Sequence, residues 1–423
     1  MATANQQDTM NSVGKAAKAA AHSLSLAPSV QKVDALQAAA AAIRSRSDDI
    51  VAANTVDIEA GEGKGLSKAM LDRLLLTPDR IEAMAAGVAT VAELDDPVGR
   101  ELSVTDRPNG LRIRQVAVPL GVIGIIYESR PNVTADAAAL CLKAGNAAIL
   151  RGGSDSFNSS GVILECMQTG LAEADLPVEA VQRVPTVDRE AVGMLLRMAE
   201  YVDVIVPRGG KGLIERVQQE ARVPVFSHLD GINHTFVDAA ADLPMAESIV
   251  VNAKMRRTGI CGAMETMLVH RDVAAEFLPR AVAALRAAGC TDIRGDDWAC
   301  ALSGELSPAT IEDWDTEYLD SILSVRIVDD LDAAISHVNR HGSQHTEAII
   351  TADANAAARF QREVDAAIVM HNASTQFADG GEFGMGAEIG IATGRFHARG
   401  PVGLEQLTSF KYAVRGNGQV RPK

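Results

Sequence analysis

The spacing of hydrophobic residues divides the chain into a helical beginning and a longer region in which strands and helices alternate. From Val13 to about Leu94, Ala-rich segments alternate with polar positions at helical spacing, and Thr77-Pro78-Asp79 has the form of a helix start. From residue 119 onward, short apolar runs are followed by turns and by helical patterns of about 10–15 residues. This alternation predicts an α/β fold with right-handed crossovers and a parallel sheet covered on both faces.

A hairpin pattern interrupts these two regions. The stretch Leu102–Val118 alternates apolar and polar residues and is broken by Arg107-Pro108-Asn109-Gly110, which predicts a β-hairpin with its turn at Asn109-Gly110. Phe410–Val414 predicts a final short strand. Because a long hairpin in a helical region often leaves the body of its domain, we expect it to pair with a second copy in a homo-oligomer.

Composition narrows the classes of partner and compartment. Lys plus Arg is 40 and Asp plus Glu is 55, so the net charge is −15, which argues against a nucleic-acid binder. The longest uncharged apolar run, Val116–Tyr127, is twelve residues long and too short to span a bilayer. The first ten residues do not resemble a secretory signal, and five scattered cysteines suit reduced thiols. We therefore expect a cytoplasmic protein without a membrane partner.

Two Gly-rich turns each follow a predicted strand and open a helix. They are Arg151-Gly152-Gly153-Ser154 and Arg208-Gly209-Gly210-Lys211. Glycine lets the backbone approach a phosphate closely, and a helix N-terminus offers free N–H groups. Neither turn is a G-x-G-x-x-G or P-loop motif, so a plain strand-to-helix turn stays open. The turns at 128–133, 151–156 and 207–212 are expected to converge at the carboxyl ends of parallel strands.

Thr258-Gly259-Ile260-Cys261-Gly262 is the most suggestive string for chemistry. A Cys between glycines has an uncrowded backbone, so its sulfur can face a cleft. Lys254, Arg256 and Arg257 precede it and favour the thiolate form. A buried, inert Cys is the alternative, and the other four cysteines read as structural.

Two further clusters of residues are candidate binding sites. His337, His341 and His345 are spaced four apart, but Gly342 should end the helix before the third and no H-E-x-x-H motif is present, so no metal is predicted. A Gly-dense loop over residues 380–394 is followed by Arg395, His397 and Arg399. That loop is either a binding loop or simply flexible, and its basic end suits an anionic substrate.

These motifs together resemble a known family. The run from Val118 to Asn132 is similar to the gamma-glutamyl phosphate reductases (glutamate-5-semialdehyde dehydrogenases) of the aldehyde dehydrogenase superfamily. Leu142–Asn146, Gly259–Gly262 and Gly394–Gly400 carry the same resemblance, in consistent order from about 12 to 418. It implies an aldehyde dehydrogenase-like fold with a Rossmann-type cofactor domain, a second α/β catalytic domain and a β-hairpin oligomerisation arm.

The resemblance also implies an activity and its residues. The reaction is NADPH-dependent reduction of L-glutamyl 5-phosphate to L-glutamate 5-semialdehyde with release of phosphate, in L-proline biosynthesis, with Cys261 as the catalytic thiol. The glutamate kinase that makes the labile substrate is an expected partner. A Ser in place of a carboxylate at position 154 favours NADP, since it removes a clash with the 2′-phosphate. The implied cofactor residues are Arg151, Gly153, Ser154, Gly209, Gly210 and Glu317.

Two positions depart from the hydrolytic relatives. His228 stands where those relatives have the Glu that activates water, which suits an enzyme that must keep a thioester from hydrolysis. Their Pro-Trp-Asn oxyanion segment lines up with Glu128-Ser129-Arg130, which leaves Asn132 as the candidate catalytic oxyanion donor. The nominated substrate cations are Arg130, Lys254, Arg256, Arg257 and Arg399.

The expected domains follow from these assignments. Residues 1–106 and 121–229 are expected to bind NADP, 230–400 to form the catalytic domain, and 107–120 with 401–423 to form the oligomerisation arm. One alternative function is a hydrolytic NAD(P)-dependent aldehyde dehydrogenase that oxidises a small aldehyde. A more distant alternative is a catalytically silent scaffold.

Overall fold

The computed structural model describes residues 2–226 and 229–422. The described residues fall into two compact units. Unit 1 comprises those of Met1–Phe226, Met385–Gly390 and Val402–Lys423, and unit 2 comprises those of Ser227–Gly384 and Ile391–Pro401. None of the helices in the described chain is long and apolar enough to cross a membrane.

Unit 1 opens with five helices, as the spacing of its apolar residues predicts. Thr77 caps the fifth helix by accepting the Arg80 N–H, with Pro78 in its first turn. These helices are α1 (Ala2–Leu26), α2 (Ser29–Ser45), α3 (Ser47–Gly63), α4 (Lys68–Leu74) and α5 (Pro78–Glu93).

A four-stranded parallel sheet with the order β5-β4-β3-β6 forms the centre of unit 1. Residues 122–126, 147–150 and 204–207 of β3, β4 and β6 are buried and almost entirely apolar, as is typical of parallel strands covered on both faces. The elements are β3 (Val122–Tyr127), α6 (Val133–Lys143), β4 (Ala147–Arg151), α7 (Phe157–Glu173), β5 (Val181–Arg183), α8 (Glu190–Leu195), β6 (Val204–Arg208) and α9 (Lys211–Glu220).

The Ala-rich sequence of α2 is explained by its packing against α7. A Cβ on Gly170 of α7 would lie 2.2 Å from the carbonyl oxygen of Ala35 and 2.8 Å from the Cβ of Ala39. Both alanines are fully buried. Small side chains on both helices therefore permit a close approach.

A separate antiparallel sheet of three strands, in the order β1-β2-β16, confirms the predicted hairpin and final strand. Gly110 has φ of +85°, and Asn109 accepts the Leu111 N–H, so the turn lies where the sequence predicts it. Five large apolar side chains of the sheet are exposed: Leu102, Val104, Phe410, Tyr412 and Val414. The strands are β1 (Glu101–Asp106), β2 (Arg112–Pro119) and β16 (Thr408–Arg415).

Unit 2 contains a seven-stranded parallel sheet with the order β10-β9-β11-β8-β7-β12-β13. One apolar cluster packs α10 and α11 against it, and a second cluster packs α13 and α14. The elements are β7 (Asn233–Val237), α10 (Leu243–Met255), β8 (Met264–His270), α11 (Arg271–Ala287), β9 (Asp292–Gly295), α12 (Asp297–Leu302), β10 (Ser307–Pro308), β11 (Ile322–Val328), α13 (Leu331–His341), β12 (Thr346–Ile350), α14 (Ala354–Glu363) and β13 (Ile368–His371), with a short antiparallel pair of β14 (Ile391–Ala392) and β15 (Gly400–Pro401).

Candidate active site

The loop that carries Cys261 joins the end of α10 to the start of β8. The buried side-chain amide of Asn233 holds its backbone through hydrogen bonds. Asn233, the first residue of β7, donates from Nδ2 to the carbonyl oxygens of Cys261 (2.6 Å) and Ala263 (2.8 Å). Its Oδ1 accepts the Thr346 N–H at 3.2 Å. Cys261 itself is partly exposed, whereas Cys141 is fully buried. The structure thus fixes the backbone of the loop, and Cys261 is neither fully buried nor fully exposed there.

Gly231 and Glu317 adjoin this loop. A Cβ at position 231 would lie 2.3 Å from the carbonyl oxygen of Cys261 and 2.7 Å from its Cα, so only glycine allows this approach. The N–H of Gly231 donates to Oε1 of Glu317 at 2.9 Å. The structure therefore brings together the candidate nucleophile and the candidate ribose ligand, which are far apart in sequence.

The three cations nominated beside Cys261 have different surroundings. Lys254 is fully buried and pairs with Glu265, with 2.5 Å between Nζ and Oε2. Burial raises the pKa of Glu265 to about 7, and the Lys254 charge opposes that rise. The Lys254 ammonium is therefore not presented to a ligand. Arg256 and Arg257 are exposed, and Arg256 donates to Oε1 of Gln376 at 3.3 Å.

Gln376 ties the end of α10 to the cysteine loop. Its Nε2 donates to the carbonyl oxygens of Ala253 (2.9 Å) and Arg257 (3.1 Å), and the side chain is buried. The backbone that precedes Cys261 is therefore held by a side chain, as the backbone that follows it is held by Asn233.

Arg399 lies elsewhere in unit 2, beside an open depression of about 510 Å³. Its Nη2 donates to Oδ1 of Asp365 at 2.9 Å, and Arg395 binds the other oxygen of that carboxylate. These bonds lower the pKa of Asp365 below its usual value, with the Arg395 bond as the largest cause. Arg362 and Glu363 line the same depression, which therefore combines three guanidinium groups with two carboxylates.

In unit 1, the three turns expected to converge are linked to one another. The Gly210 N–H, at the start of α9, donates to Oε2 of Glu128 at 3.1 Å. Ser129 donates to the carboxylate of Asp155, which follows the 151–154 turn. A Cβ on Gly209 would lie 2.5 Å from the Glu128 carboxylate. The carboxyl ends of β3, β4 and β6 thus share one edge.

The residues of the 151–154 turn differ in how exposed they are to solvent. Arg151 is largely buried, and its Nη2 donates to the carbonyl oxygens of Val187 (2.9 Å) and Asp188 (3.4 Å). Gly153 is half-buried, while Ser154 is exposed. Arg151 therefore holds the neighbouring loop, and the hydroxyl of Ser154 faces solvent.

Two nominated residues lie near the start of α6. Asn132 donates from Nδ2 to Oδ2 of Asp136 at 2.9 Å, and Arg130 is exposed. Desolvation raises the pKa of Asp136 to about 6, which the Asn132 bond partly offsets. His228 lies outside the described residues.

The histidine cluster has the character of packed core rather than of a ligand set. Helix α13 ends at His341 before Gly342, as predicted, and Arg326 donates to Nδ1 of the buried His337 at 2.9 Å. Desolvation lowers the pKa of His337 to about 2, so its ring is neutral. Within residues 2–226 and 229–422, no three His, Cys, Asp or Glu side chains form a group that could hold a metal ion.

The sequence did not indicate Asn233 and Gln376, which hold the cysteine loop, or Glu265, which binds Lys254. Asn233 and Glu265 lie in the first two positions of the fully buried strands β7 and β8. Buried polar residues in such runs are a signal, because they must be hydrogen-bonded. The signal gives no partner, however, since partners are set by strand order.

The chain is similar to known proteins in both sequence and fold. The model of the aldehyde dehydrogenase family matches residues 1–300. A gamma-glutamyl phosphate reductase of Rhodospirillum rubrum is 62% identical over 413 residues, which are 98% of this chain and 96% of the relative. The crystal structure of a gamma-glutamyl phosphate reductase from Thermotoga maritima is 43% identical, with a TM-score of 0.96 over 98% of this chain and 100% of that one. An acetylating aldehyde dehydrogenase of Geobacillus thermoglucosidasius shares the fold alone, with 16% identity and a TM-score of 0.70 over 100% of both chains.

The chain therefore belongs to the aldehyde dehydrogenase family, and within it to the gamma-glutamyl phosphate reductases. This confirms the resemblance carried by the motifs and the expected α/β fold. Membership makes the chain an oxidoreductase, and the family implies a nicotinamide cofactor.

Proposed function

We propose that the chain catalyses NADPH-dependent reduction of L-glutamyl 5-phosphate to L-glutamate 5-semialdehyde, with release of phosphate, in L-proline biosynthesis. The observation that carries this proposal is the partly exposed thiol of Cys261 on a backbone fixed by Asn233 and Gly231. The name of the relative that is 62% identical supports the substrate.

Cys261 performs the covalent step. Its thiolate attacks the acyl carbon, a carbon–sulfur bond forms, and the carbon–oxygen bond to phosphate breaks with its electron pair on the leaving phosphate. Addition of a hydride to the carbonyl carbon of the thioester forms a C–H bond, moves the π electron pair onto oxygen and gives a thiohemiacetal alkoxide. The carbonyl then re-forms as the carbon–sulfur bond breaks with its electron pair on sulfur, which releases the aldehyde and restores the thiolate.

The oxyanion that forms in each addition step needs hydrogen-bond donors. Backbone N–H groups near Cys261 are one source, and each such donor contributes about 2.7–4 kcal/mol. Asn132 is the proposed side-chain donor. A carboxamide has two N–H hydrogens, so its bond to Asp136 leaves one for another acceptor.

The residues present fit a dinucleotide, which when bound supplies the hydride. Gly210, at the N-terminus of α9, already donates its N–H to an anionic oxygen, that of Glu128. Gly209 belongs to the same turn, Gly153 and Ser154 form the other, and Arg151 holds the loop beside it. The exposed hydroxyl of Ser154 supports NADP over NAD, because it places no carboxylate against a 2′-phosphate. Glu317 is assigned to the nicotinamide ribose.

The substrate has a charged group at each end, and unit 2 offers matching cations. Arg399 and Arg395 around the depression suit the α-carboxylate, while Asp365 between them suits the α-ammonium. Arg256 and Arg257, which precede Cys261 and are exposed, suit the phosphate. Arg130 is a further candidate for binding the substrate, whereas the buried Lys254 does not contact it.

The test is the reverse reaction, in which the chain oxidises glutamate 5-semialdehyde with NADP. The proposal expects NADP reduction to require phosphate and to yield the acyl phosphate. Acid formation without phosphate would instead indicate a hydrolytic aldehyde dehydrogenase. No turnover, with a Cys261 thiol that reacts no faster than an ordinary thiol across pH, would indicate a silent scaffold.

The same proposal assigns roles along the chain. Residues 1–106 and 121–229 bind the cofactor, 230–400 perform catalysis, and 107–120 with 401–423 mediate self-association. The exposed Phe410, Tyr412 and Val414 on β16 support the last of these. Size-exclusion chromatography with light scattering measures the mass of the assembly, and a monomer would contradict the proposed self-association. If added glutamate kinase left that mass unchanged, the result would argue against the kinase as a partner.

A further inference from the structure

A buried ion pair lies behind the cysteine loop, and none of the chemical steps above uses it. Lys254 and Glu265 are 0% and 1% exposed, with 2.5 Å between Nζ and Oε2. Removing two charges from water is costly, and apolar residues of similar volume often serve stability as well or better. A stability role alone therefore gives a weak account of this pair.

The pairing of β8 with β7 is irregular at Glu265. Asn233 pairs with Met264 and His234 pairs with Thr266, so Glu265 is an extra residue in the ladder. Such bulges re-aim a side chain and are common beside active sites. Here Oε1 of Glu265 accepts the Leu319 N–H at 3.3 Å, while Oε2 binds Lys254.

Leu319 is held in a backbone conformation that a leucine rarely adopts. Its φ is +53°, in the left-handed region that favours glycine. Such a residue persists where its surroundings determine its conformation. Glu317 lies two residues earlier, and its Oε1 accepts the Gly231 N–H at 2.9 Å. The turn that Glu265 stabilises therefore sets the position of the Glu317 carboxylate.

We propose that Glu265, fixed by Lys254, is a positioning residue for Glu317, so that this buried pair sets the affinity for the ribose of the dinucleotide. The inference rests on the proposed function in one respect, the assignment of Glu317 to the nicotinamide ribose. It adds two residues that act through the Leu319 turn without touching the cofactor.

The decisive variant replaces both charges at once, K254M/E265L, which leaves no unpaired buried charge. We expect its thermal midpoint to stay within a few degrees of the parent. We expect its Kd for NADPH, measured by cofactor fluorescence without substrate, to rise about tenfold, the size of one lost hydrogen bond to a charged group. The matched control is K32M/D96N at the buried Lys32–Asp96 pair of unit 1, which should leave the Kd unchanged.

A third substitution that restores cofactor affinity would distinguish a loss of Glu317 positioning from a general loss of structure. Adding Leu319→Gly to the double variant removes the penalty for positive φ, so the turn no longer needs Glu265 and the Kd should return toward the parent value. A well-folded K254M/E265L protein with unchanged Kd would overturn the proposal, and so would a matching loss in the Lys32–Asp96 control or no rescue by glycine. Glu317→Ala with unchanged Kd would instead refute the assignment of Glu317.

Discussion

The two parallel sheets keep their functional side chains at opposite ends of their strands. In unit 1, the strands β3, β4 and β6 are apolar until their last one or two residues, and the candidate cofactor turns follow those carboxyl ends. In unit 2, buried polar residues lie in the first two positions of β7, β8 and β12, and Gln376 follows the carboxyl end of β13. Asn233 donates to the Cys261 carbonyl oxygen and accepts the Thr346 N–H, while Glu265 accepts the Leu319 N–H.

The two sheets differ because the candidate functional loops of unit 1 follow its strands, whereas the loop that carries Cys261 precedes a strand of unit 2. Ligands of open parallel sheets bind beyond the carboxyl ends of strands, and the turns of unit 1 obey this rule. The candidate nucleophile of unit 2 lies in the loop that precedes β8, so strand residues that support this loop come from amino ends of strands, as Asn233 does. The candidate cofactor turns thus follow the carboxyl ends of strands, while the candidate nucleophile loop lies at the amino end of a strand.

The sharpest test of this division is Cys261→Ala. We expect turnover to fall on the order of 10⁴-fold or more, because no other group forms the thioester. The Kd for NADPH should change by less than about twofold, since the carboxyl-end turns of unit 1 are intact. Steady-state rates and cofactor fluorescence measure the two quantities, and residual turnover near the parent level would refute the role of this thiol.

A pair of glycine substitutions compares the two ends directly. Gly231→Ala would place a Cβ 2.3 Å from the Cys261 carbonyl oxygen, so the loop must shift, and we expect kcat to fall by about 10²-fold. Gly212→Ala is the matched control in the helix that follows the carboxyl end of β6, because nothing lies within 4 Å of its Cβ position. Equal losses of kcat in both variants would contradict the division.

Removing one guanidinium from the depression tests substrate recognition in unit 2. We expect Arg399→Gln to raise the KM for glutamate 5-semialdehyde by about tenfold, the effect of one lost charge-assisted bond, with the KM for phosphate unchanged. Arg362→Gln is the control, because this side chain is 72% exposed and pairs with the neighbouring Glu363. A rise in the KM for phosphate instead would assign Arg399 to the other end of the substrate.

Two buried groups should give the units opposite responses to acid. His337 has its pKa lowered to about 2, so below pH 6.5 only the unfolded chain takes up its proton, and stability is lost as pH falls, by about 2 kcal/mol from pH 7 to 5. Asp136 has its pKa raised to about 6, so the folded chain binds the proton first, and stability is gained by about 1 kcal/mol over the same interval.

Thermal midpoints at pH 7 and 5 measure both effects. His337→Asn should lose less stability on acidification than the parent, and Asp136→Asn should lose more. Parallel curves for parent and variants would show that neither group titrates as described.

The sequence predicted the architecture, and it marks a candidate nucleophile without indicating the residues that support its loop. Alternating strands and helices specify a parallel sheet, and Gly-Ile-Cys-Gly marks Cys261 by local chemistry alone. Lys254 was expected near the thiol as a substrate cation, yet it is buried against Glu265, because the bulge that turns Glu265 toward it depends on the register between β7 and β8. The close approach of Gly231 is likewise a tertiary contact without a local pattern.

The pairing of β16 with β2 has a consequence for biosynthesis of the chain. Residues 408–415 lie beside 112–119, so the antiparallel sheet joins strands from distant parts of the chain. During translation, β2 keeps one edge unpaired until β16 has left the ribosome, and the strands of the parallel sheets of both units emerge in the interval. Completion of this sheet is therefore a late folding event, and a nascent chain stalled before residue 408 exposes an edge prone to association with other strands.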